Sequence, residues 1–585
     1  MPSCGRTPAS GGVTNLLSRR KTAAKKTSGS ASYSLLLKDS TIYGGGRMLQ
    51  KFLTALMLPL FTAFMSKSDY GIIGMVVTVT TFIDVFVTLG FDVAYTRFYF
   101  DDKDLAGRNK VLTHVFYVDF VYPAALLGTI ALFVPQISQL LMGSTSYAIY
   151  FYIGIATEFV INLNDLPFQT LRLDHRPWTF TGFTVARVLI QVPLAIVFLA
   201  VFHWGPAGYL GANLVTAIIL GLAALPVWVP RLRLAWDGAL MVAMLAFAVP
   251  AMLHAVSFFF LKLSDRFFLQ HYEGTSAVGL YTVANSLAQP LYIVGMAFRM
   301  AWPQWHYSKL HDTAVHKQMV SRSSTYFMAF NAVLLAMIGI YLPLVMHVLL
   351  NRNFWSIGPT TFVLTLSTVL YNIYYIFWIG SNVAKKNSMI PVITLIASGV
   401  NIGLNFILIP RYGMYAAAWT TTLGFFILAV LVYFWSDHWY PIPFEWRRLS
   451  ILGAGAALTL GAGWAIGSVL GLSVYQPLGK LILSELAVTP TLLIFPLLFW
   501  ATKFFTPREA DRLRDIGRRL TGRGARTPGI APVPAMAGAA VSGSGPLGRG
   551  REYADHLSRD DLEAEEEEAE IEAEIDITEG GSSLP

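Results

Sequence analysis

The chain has 585 residues, of which 54% are apolar and only 13% are charged, and its mean hydropathy is +0.53. No ordinary soluble domain has this composition, and long apolar stretches indicate a membrane protein. A net charge of +8 would suggest nucleic-acid binding in a soluble chain, but here the basic residues lie mostly between apolar segments, as membrane topology requires. The one cysteine, Cys4, excludes a disulfide framework and a thiolate metal site.

The apolar runs predict about fourteen spanning helices, because a helix needs about 20 residues to cross the bilayer. Helices are favoured over a closed barrel, since the runs show no alternation of apolar and polar residues. Residues 1–40 lack the apolar core and cleavage site of a signal peptide, so we expect a basic cytoplasmic tail there. The predicted spans are 41–65, 69–91, 111–135, 147–171, 178–202, 207–229, 239–264, 276–301, 326–350, 359–384, 388–409, 413–435, 450–471 and 480–505.

The loops between these spans test the count through the positive-inside rule. With the amino terminus inside, the cytoplasmic loops hold fifteen basic residues and the opposite loops hold four. The bias predicts an even number of spans and places both termini in the cytoplasm. The outer four are Lys67, Arg266, Arg352 and Arg411, and the inner fifteen are Arg97, Lys103, Arg108, Lys110, Arg172, Arg176, Arg231, Arg233, Lys309, Lys317, Arg322, Lys385, Lys386, Arg447 and Arg448.

Two pairs of similar segments indicate an internal repeat. The stretch DYGIIGMVV resembles AVGLYTVAN, which aligns Gly71 with Gly279 at an offset of 208, and GYLGANLVT resembles GMYAAAWTT, which aligns Gly208 with Gly413 at an offset of 205. An even number of spans separates the matching helices, so the repeat is parallel and predicts two six-helix bundles that face one another around a central cavity. The alternative is that small residues simply recur where membrane helices pack closely.

The repeat defines the predicted domain organisation. The first bundle covers 41–235 and the second covers 236–440. An extra helix pair covers 441–505 and lies outside the repeat. Residues 506–585 form a cytoplasmic tail that is basic, then linker-like, then acidic, and its composition is typical of a solvated, disordered segment.

Basic residues within spans are the first candidate site residues, because a buried charge is costly unless it meets water or a partner. If they face the central cavity, they would attract phosphate and pyrophosphate groups, which arginine can bind with two hydrogen bonds. The alternative for those near span ends is that the side chain extends to the membrane interface. These candidates for a cationic, substrate-binding cavity are Arg47, Lys51, Arg187, Lys262, Arg266 and Arg299.

Acidic residues within or beside spans form the second set of candidates. Asp265 adjoins Arg266 and could form an ion pair with it. The others could neutralise the arginines or carry a coupling H⁺ or Na⁺, and the sequence leaves both roles open. They are Asp84, Asp119, Glu158 and Asp165. We expect no metal site and no cofactor.

Three segments resemble a known family, the Wzx-type polysaccharide biosynthesis flippases of the multidrug, oligosaccharidyl-lipid and polysaccharide exporter superfamily. Residues 43–99, from YGGGRMLQK to DVAYTRFY, resemble the opening of these proteins. The stretch SDRFFLQHYEGTSAVGLYTVANSLAQP at 264–290 is similar to their junction between helices seven and eight. The stretch NIGLNFILIPRYGMYAAAWTTTLG at 401–424 is similar to their eleventh and twelfth helices. The usual family core has twelve helices, so the extra pair is a departure that matches the lipid II flippases in number.

The resemblance implies a transporter and not an enzyme. Such proteins move undecaprenyl-pyrophosphate-linked oligosaccharide across the bacterial inner membrane by alternating access, for O-antigen or exopolysaccharide export. The implied partners are the lipid-linked oligosaccharide and membrane lipids, with a polysaccharide polymerase and chain-length or export machinery as further candidates and no nucleic acid. Two other functions stay open: a cation-coupled multidrug exporter of the same superfamily, and a membrane glycosyltransferase or polymerase.

Overall fold

The protein is described by a computed structural model over residues 44–46, 48–50, 53, 57–101, 104–233, 236–307, 310, 312–507 and 509–511. The chain divides into two units, Met1–Thr506 and Pro507–Pro585, and every element below lies in the first. In the second unit, the described residues are 507 and 509–511, and the predicted tail beyond residue 511 lies outside the described residues.

The described part of the chain is built from helices, numbered here in chain order, with short 3₁₀ and π segments between some of them. They are α1 Leu58–Phe64, α2 Lys67–Thr88, α3 Phe91–Phe98, α4 Leu105–Phe116, α5 Tyr122–Leu132, α6 Val134–Met142, α7 Ala148–Leu173, α8 Pro177–Ile196, α9 Gly205–Trp228, α10 Gly238–Leu263, α11 Asp265–Glu273, α12 Thr275–Leu287, α13 Gln289–Tyr307, α14 Thr313–Leu349, α15 Gly358–Val383, α16 Ile390–Trp439, α17 Trp446–Val469, α18 Leu478–Val488 and α19 Ile494–Ala501.

The predicted all-α polytopic class is confirmed, because eleven helical stretches in the described residues are long and apolar enough to cross a membrane. One of them, Asn387–Trp439, contains two predicted spans, 388–409 and 413–435. The predicted span 276–301 consists instead of two helices, α12 and α13, that meet at Ala288. Most of the predicted first span lies outside the described residues, so the count of fourteen stays a prediction.

Local sequence chemistry explains where the key helices begin and turn. Ser66 and Asp69 form a capping box that starts α2, since each side chain accepts a hydrogen bond from the other residue's backbone N–H. Within α16, Gly413 has φ 57° and ψ −140°, a conformation that L side chains rarely adopt. The kink at this glycine, after Pro410, separates the two spans of α16.

The largest buried core joins the two predicted bundles. It includes Met75 and Val76 of α2 together with Val278 and Val283 of α12, and these two helices pack along each other. Gly71 and Gly279, which the repeat aligns, lie at this contact, where a Cβ on Gly279 would lie 2.9 Å from the backbone nitrogen of Gly71. Repeat-related positions that touch in this way support an approximate twofold arrangement of the bundles. The bundle boundaries themselves stay a prediction.

Candidate substrate and ion site

Lys262 and Arg299 meet around a set of tyrosine rings. The Nζ of Lys262 lies 5.1 Å from the ring centre of Tyr292, and the guanidinium of Arg299 lies 5.0 Å from the same ring and 4.7 Å from Tyr371. Arg299 also donates to the Asn372 Oδ1 at 2.9 Å. Arg299 therefore inserts among aromatic rings, which attract cations.

Arg266 lines a cavity together with Lys262 and contacts the other predicted bundle. Its side chain is 5% exposed, and its Nη1 donates to the Thr78 Oγ1 at 3.1 Å. Asp265 is also buried, but its Oδ2 accepts hydrogen bonds from the hydroxyls of Tyr281 and, at 3.1 Å, Thr421. The ion pair considered from the sequence does not form within 4.0 Å, because each side chain is engaged with different partners.

The cavity that Lys262 and Arg266 line has a volume of about 50 Å³, which leaves room for only a few waters. Within the described residues, no carboxylate lies within 4.0 Å of the cationic groups of Lys262, Arg266 or Arg299. Lys262 remains exposed because it faces this cavity, although it lies on a long apolar helix. Three positive charges without a close carboxylate form a site suited to an anion. The lining includes Lys262, Arg266, Tyr281, Tyr292, Tyr371 and Thr421.

A buried cluster of neutral oxygens adjoins Asp265. Asn405 donates to the Asn401 Oδ1 at 3.1 Å and to the Ser264 Oγ at 3.4 Å, and it accepts from the Thr420 hydroxyl. The Asp265 Oδ1 has no hydrogen-bond partner in the described structure. One carboxylate together with hydroxyl and amide oxygens is a donor set that suits a hard cation such as sodium.

Arg187 lies in the first half of the chain, at a larger cavity of about 510 Å³. Asp165 and Arg172 line the same cavity, and so does Met296 of α13, so both predicted bundles contribute to its walls. A neighbouring cavity of about 620 Å³ shares Arg172 with it and opens widely near Arg97. These residues belong to or adjoin predicted cytoplasmic loops, so the larger cavities open on the side opposite the glycine contact of α2 and α12.

The predicted acidic residues of the first half lie near this cavity. Asp84 of α2 and Glu158 of α7 lie side by side, and Glu158 also interacts electrostatically with Asp165 and Arg187. Two adjacent carboxyl groups repel each other when both are ionised, so such a pair suits a shared proton or a cation. Asp119 is buried, 8% exposed, and interacts electrostatically with Asp165 and Asp92.

A polar contact outside the cavities holds the predicted cytoplasmic end of the first half. Arg231 and Asp174 form an ion pair at 2.6 Å, and the Tyr99 hydroxyl donates to the Asp174 Oδ1 at 2.6 Å. Burial alone would raise the pKa of Asp174, but the hydrogen bonds from Arg231 and Tyr99 outweigh it and hold that pKa below its ordinary value.

The structure thus places Lys262 and Arg266 at one cavity and Lys262 and Arg299 at the Tyr292 ring, while Arg187 lines a separate cavity with Asp165. Arg47 and Lys51 lie outside the described residues. The sequence interpretation missed several polar partners, although two signals were present. Thr421 ends the repeat motif that begins at Gly413, and Tyr281, Tyr292 and Tyr371 lie inside predicted apolar spans, where packing alone does not need a hydroxyl group. The missed residues are Thr78, Tyr281, Gln289, Tyr292, Tyr371, Asn372, Asn401, Asn405, Thr420 and Thr421.

Comparison with solved structures defines the class of protein by its fold. A structure titled "Lipid II flippase MurJ, inward closed conformation" superposes with a TM-score of 0.63 and 13% identity, over 79% of this chain and 99% of that chain. An inward-facing multidrug resistance MATE family transporter of the MOP superfamily superposes with a TM-score of 0.54 and 14% identity, over 69% of this chain and 96% of that chain. The chain therefore has the fold of MOP-superfamily flippases and exporters.

Sequence comparison narrows the resemblance within that superfamily. Residues 36–302 match the family model described as "Polysaccharide biosynthesis protein". A protein of Haemophilus influenzae, named "Lsg locus putative protein 1", is 24% identical over 302 residues, which cover 49% of this chain and 70% of that protein. The predicted resemblance to polysaccharide biosynthesis proteins is confirmed over residues 36–302, and the apolar helices of the described residues make the chain a multi-pass membrane protein.

Proposed function

We propose that this protein exports undecaprenyl-pyrophosphate-linked oligosaccharide repeat units from the inner to the outer leaflet of a bacterial inner membrane, with both termini in the cytoplasm. The observation that carries the proposal is that Lys262 and Arg266 line a cavity inside apolar helices, with Arg299 against the Tyr292 and Tyr371 rings of its wall. Within the described residues, no carboxylate lies within 4.0 Å of these three cationic groups. Such charge in a membrane interior is stable only beside water or an anion. A lipid diphosphate supplies that anion, and Arg187 with Arg172 would receive it first in the wider cavity.

Two places could couple export to an ion gradient. The pair Asp84 and Glu158 suits a proton, and the oxygen cluster beside Asp265 suits sodium. A flipping assay in proteoliposomes that contain a fluorescent lipid diphosphate distinguishes the two possibilities. If protons drive flipping, a pH gradient accelerates it and Glu158→Gln abolishes that response. If sodium drives flipping, a sodium gradient accelerates it and Asp265→Asn abolishes that response.

The test of the main function is a deletion strain of the source bacterium. Surface polysaccharide should be lost while lipid-linked repeat units accumulate on the cytoplasmic leaflet. Single variants Arg187→Gln and Arg266→Gln should reproduce this defect at unchanged protein level. Arg411→Gln is the matched control, because Arg411 is exposed in a predicted outer loop and lines neither site. Normal export in the deletion strain would refute the proposal.

The same strain separates the other two functions. If the protein were a multidrug exporter of this superfamily, its deletion would leave the polysaccharide intact and raise drug sensitivity. The positive charges of Lys262, Arg266 and Arg299 argue against this function, because they would repel cationic drugs. A glycosyltransferase or polymerase would leave lipid-linked intermediates exposed on the outer leaflet, unextended. Cytoplasmic accumulation is therefore the result that distinguishes export from enzymatic assembly.

A further inference from the structure

Arg266 joins two helices that the repeat assigns to different bundles. Its Nη1 bonds the Oγ1 of Thr78 in α2 at 3.1 Å, across 188 positions of sequence. Both side chains are buried, with Arg266 5% exposed and Thr78 0% exposed. The Nε of Arg266 has no hydrogen-bond partner among the described residues, so this cation makes fewer hydrogen bonds than its guanidinium offers.

The backbone contact of the glycines lies further toward the predicted outer end. Gly71 precedes Thr78 by seven residues, which is about 10 Å along a helix. A Cβ on Gly71 would lie 2.7 Å from the carbonyl carbon of Thr275, so the backbones of α2 and α12 approach closely at this glycine. The Arg266–Thr78 hydrogen bond and the glycine contact hold α2 against α11 and α12 at the predicted outer end. The wide cavities near Arg172 open at the other end.

We propose that Arg266 is the latch of an outer gate, where the gate is the contact of α2 with α11 and α12 at the predicted outer end and the latch is the hydrogen bond from Arg266 to Thr78. In the closed state it binds the Thr78 hydroxyl, and during export it transfers to the diphosphate of the substrate, which releases α2 from α11. The identity of the anion rests on the proposed function. Arginine can bind a phosphate group through two parallel hydrogen bonds between opposite charges, whereas it gives the neutral Thr78 hydroxyl one hydrogen bond, so the exchange is favourable once the anion arrives. The cavity of about 50 Å³, whose lining residues all belong to the second predicted bundle, must widen to admit the anion.

The latch is tested by thiol labelling, since Cys4 is the single cysteine of the chain. A Cys4→Ser, Ser367→Cys protein places one thiol at the cavity wall, where Ser367 is 5% exposed. Labelling by a membrane-impermeant maleimide added outside spheroplasts then reports opening of the gate. Thr78→Val should raise the labelling rate about tenfold or more, the equivalent of one charge-assisted hydrogen bond.

Thr81→Val is the matched control, because the Thr81 hydroxyl bonds only the Val77 carbonyl of its own helix, at 2.6 Å. Its labelling rate should equal that of the parent. Arg266→Gln provides a second variant that weakens the latch, should Thr78→Val fail to yield monodisperse protein. Unchanged labelling in Thr78→Val or in Arg266→Gln, or an equal rise in Thr81→Val, would overturn the proposal.

The transfer to the anion is tested in proteoliposomes with undecaprenyl diphosphate, and with undecaprenol as the uncharged control. The diphosphate should accelerate labelling of the Ser367→Cys protein, whereas undecaprenol should not, and Arg266→Gln should abolish the response. A response to diphosphate that persists in Arg266→Gln overturns the latch but leaves the proposed function standing. Conversely, a Thr78→Val effect without any response to diphosphate overturns the transfer and counts against the proposed substrate.

Discussion

Replacing Gly279 by alanine should open the outer end of the molecule. The added Cβ would lie 2.9 Å from the Gly71 nitrogen and closer still to the Lys67 carbonyl, and both are backbone atoms that cannot rotate away. The helices must therefore separate, and overpacking of this kind costs about 1–3 kcal/mol. If this free-energy cost falls on the closed state alone, the ratio of open to closed molecules rises by a factor of about 5–150.

Gly128→Ala is the control for this prediction, because a Cβ at Gly128 meets nothing within 4 Å. It should change only helix propensity, by about 1 kcal/mol in the favourable direction, and leave the gate unaffected. Spin labels on exposed outer-loop residues, through Ser146→Cys and Tyr412→Cys in a Cys4→Ser background, would report the distance between the bundles. If Gly279→Ala gives the same distance distribution as Gly128→Ala, the close backbone contact does not control the gate.

Three further predictions follow from named contacts. Arg187→Gln should lower the rate of lipid-diphosphate flipping in proteoliposomes roughly tenfold without changing the melting temperature, because Arg187 lines a cavity and not a core. Arg231→Met should cost about 1–2 kcal/mol of stability, since the ion pair with Asp174 is shielded on both sides, and thermal unfolding in detergent checks it. Lys110 and two backbone N–H groups lower the pKa of Asp237 to about 2. The ionised Asp237 side chain therefore stabilises the folded protein fully above its ordinary pKa of 3.8, and this stabilisation is lost as the pH falls towards about 2. The difference in melting temperature between wild type and Asp237→Ala should shrink over that range.

The helical framework could be predicted from the sequence because apolar runs of spanning length have few alternatives in lipid. The repeat also identified Gly71 and Gly279 before their contact was known. Side-chain partners could not be predicted in the same way, since Arg266 meets Thr78 from 188 positions away and no local pattern encodes such a pair. Proximity in sequence favoured Asp265 instead, but the direction of each side chain from its helix decides which groups meet.

The span at 276–301 shows a different limit. Hydropathy identified one apolar segment, whereas the chain forms two helices that meet at Ala288, just before Pro290. A proline restricts the residue before it and removes a backbone donor, which favours a break at this position. The signal was present in the sequence, but a window that averages hydropathy does not detect it.

The unneutralised cluster of Lys262, Arg266 and Arg299 has a consequence for the energy supply of the cell. A path wide enough for a sugar chain is also wide enough for water, and a hydrated path through a membrane invites leakage of protons and small cations. Fixed positive charge along such a path raises the electrostatic barrier to those ions. The residues proposed to attract the substrate would thus also protect the membrane potential while the substrate crosses.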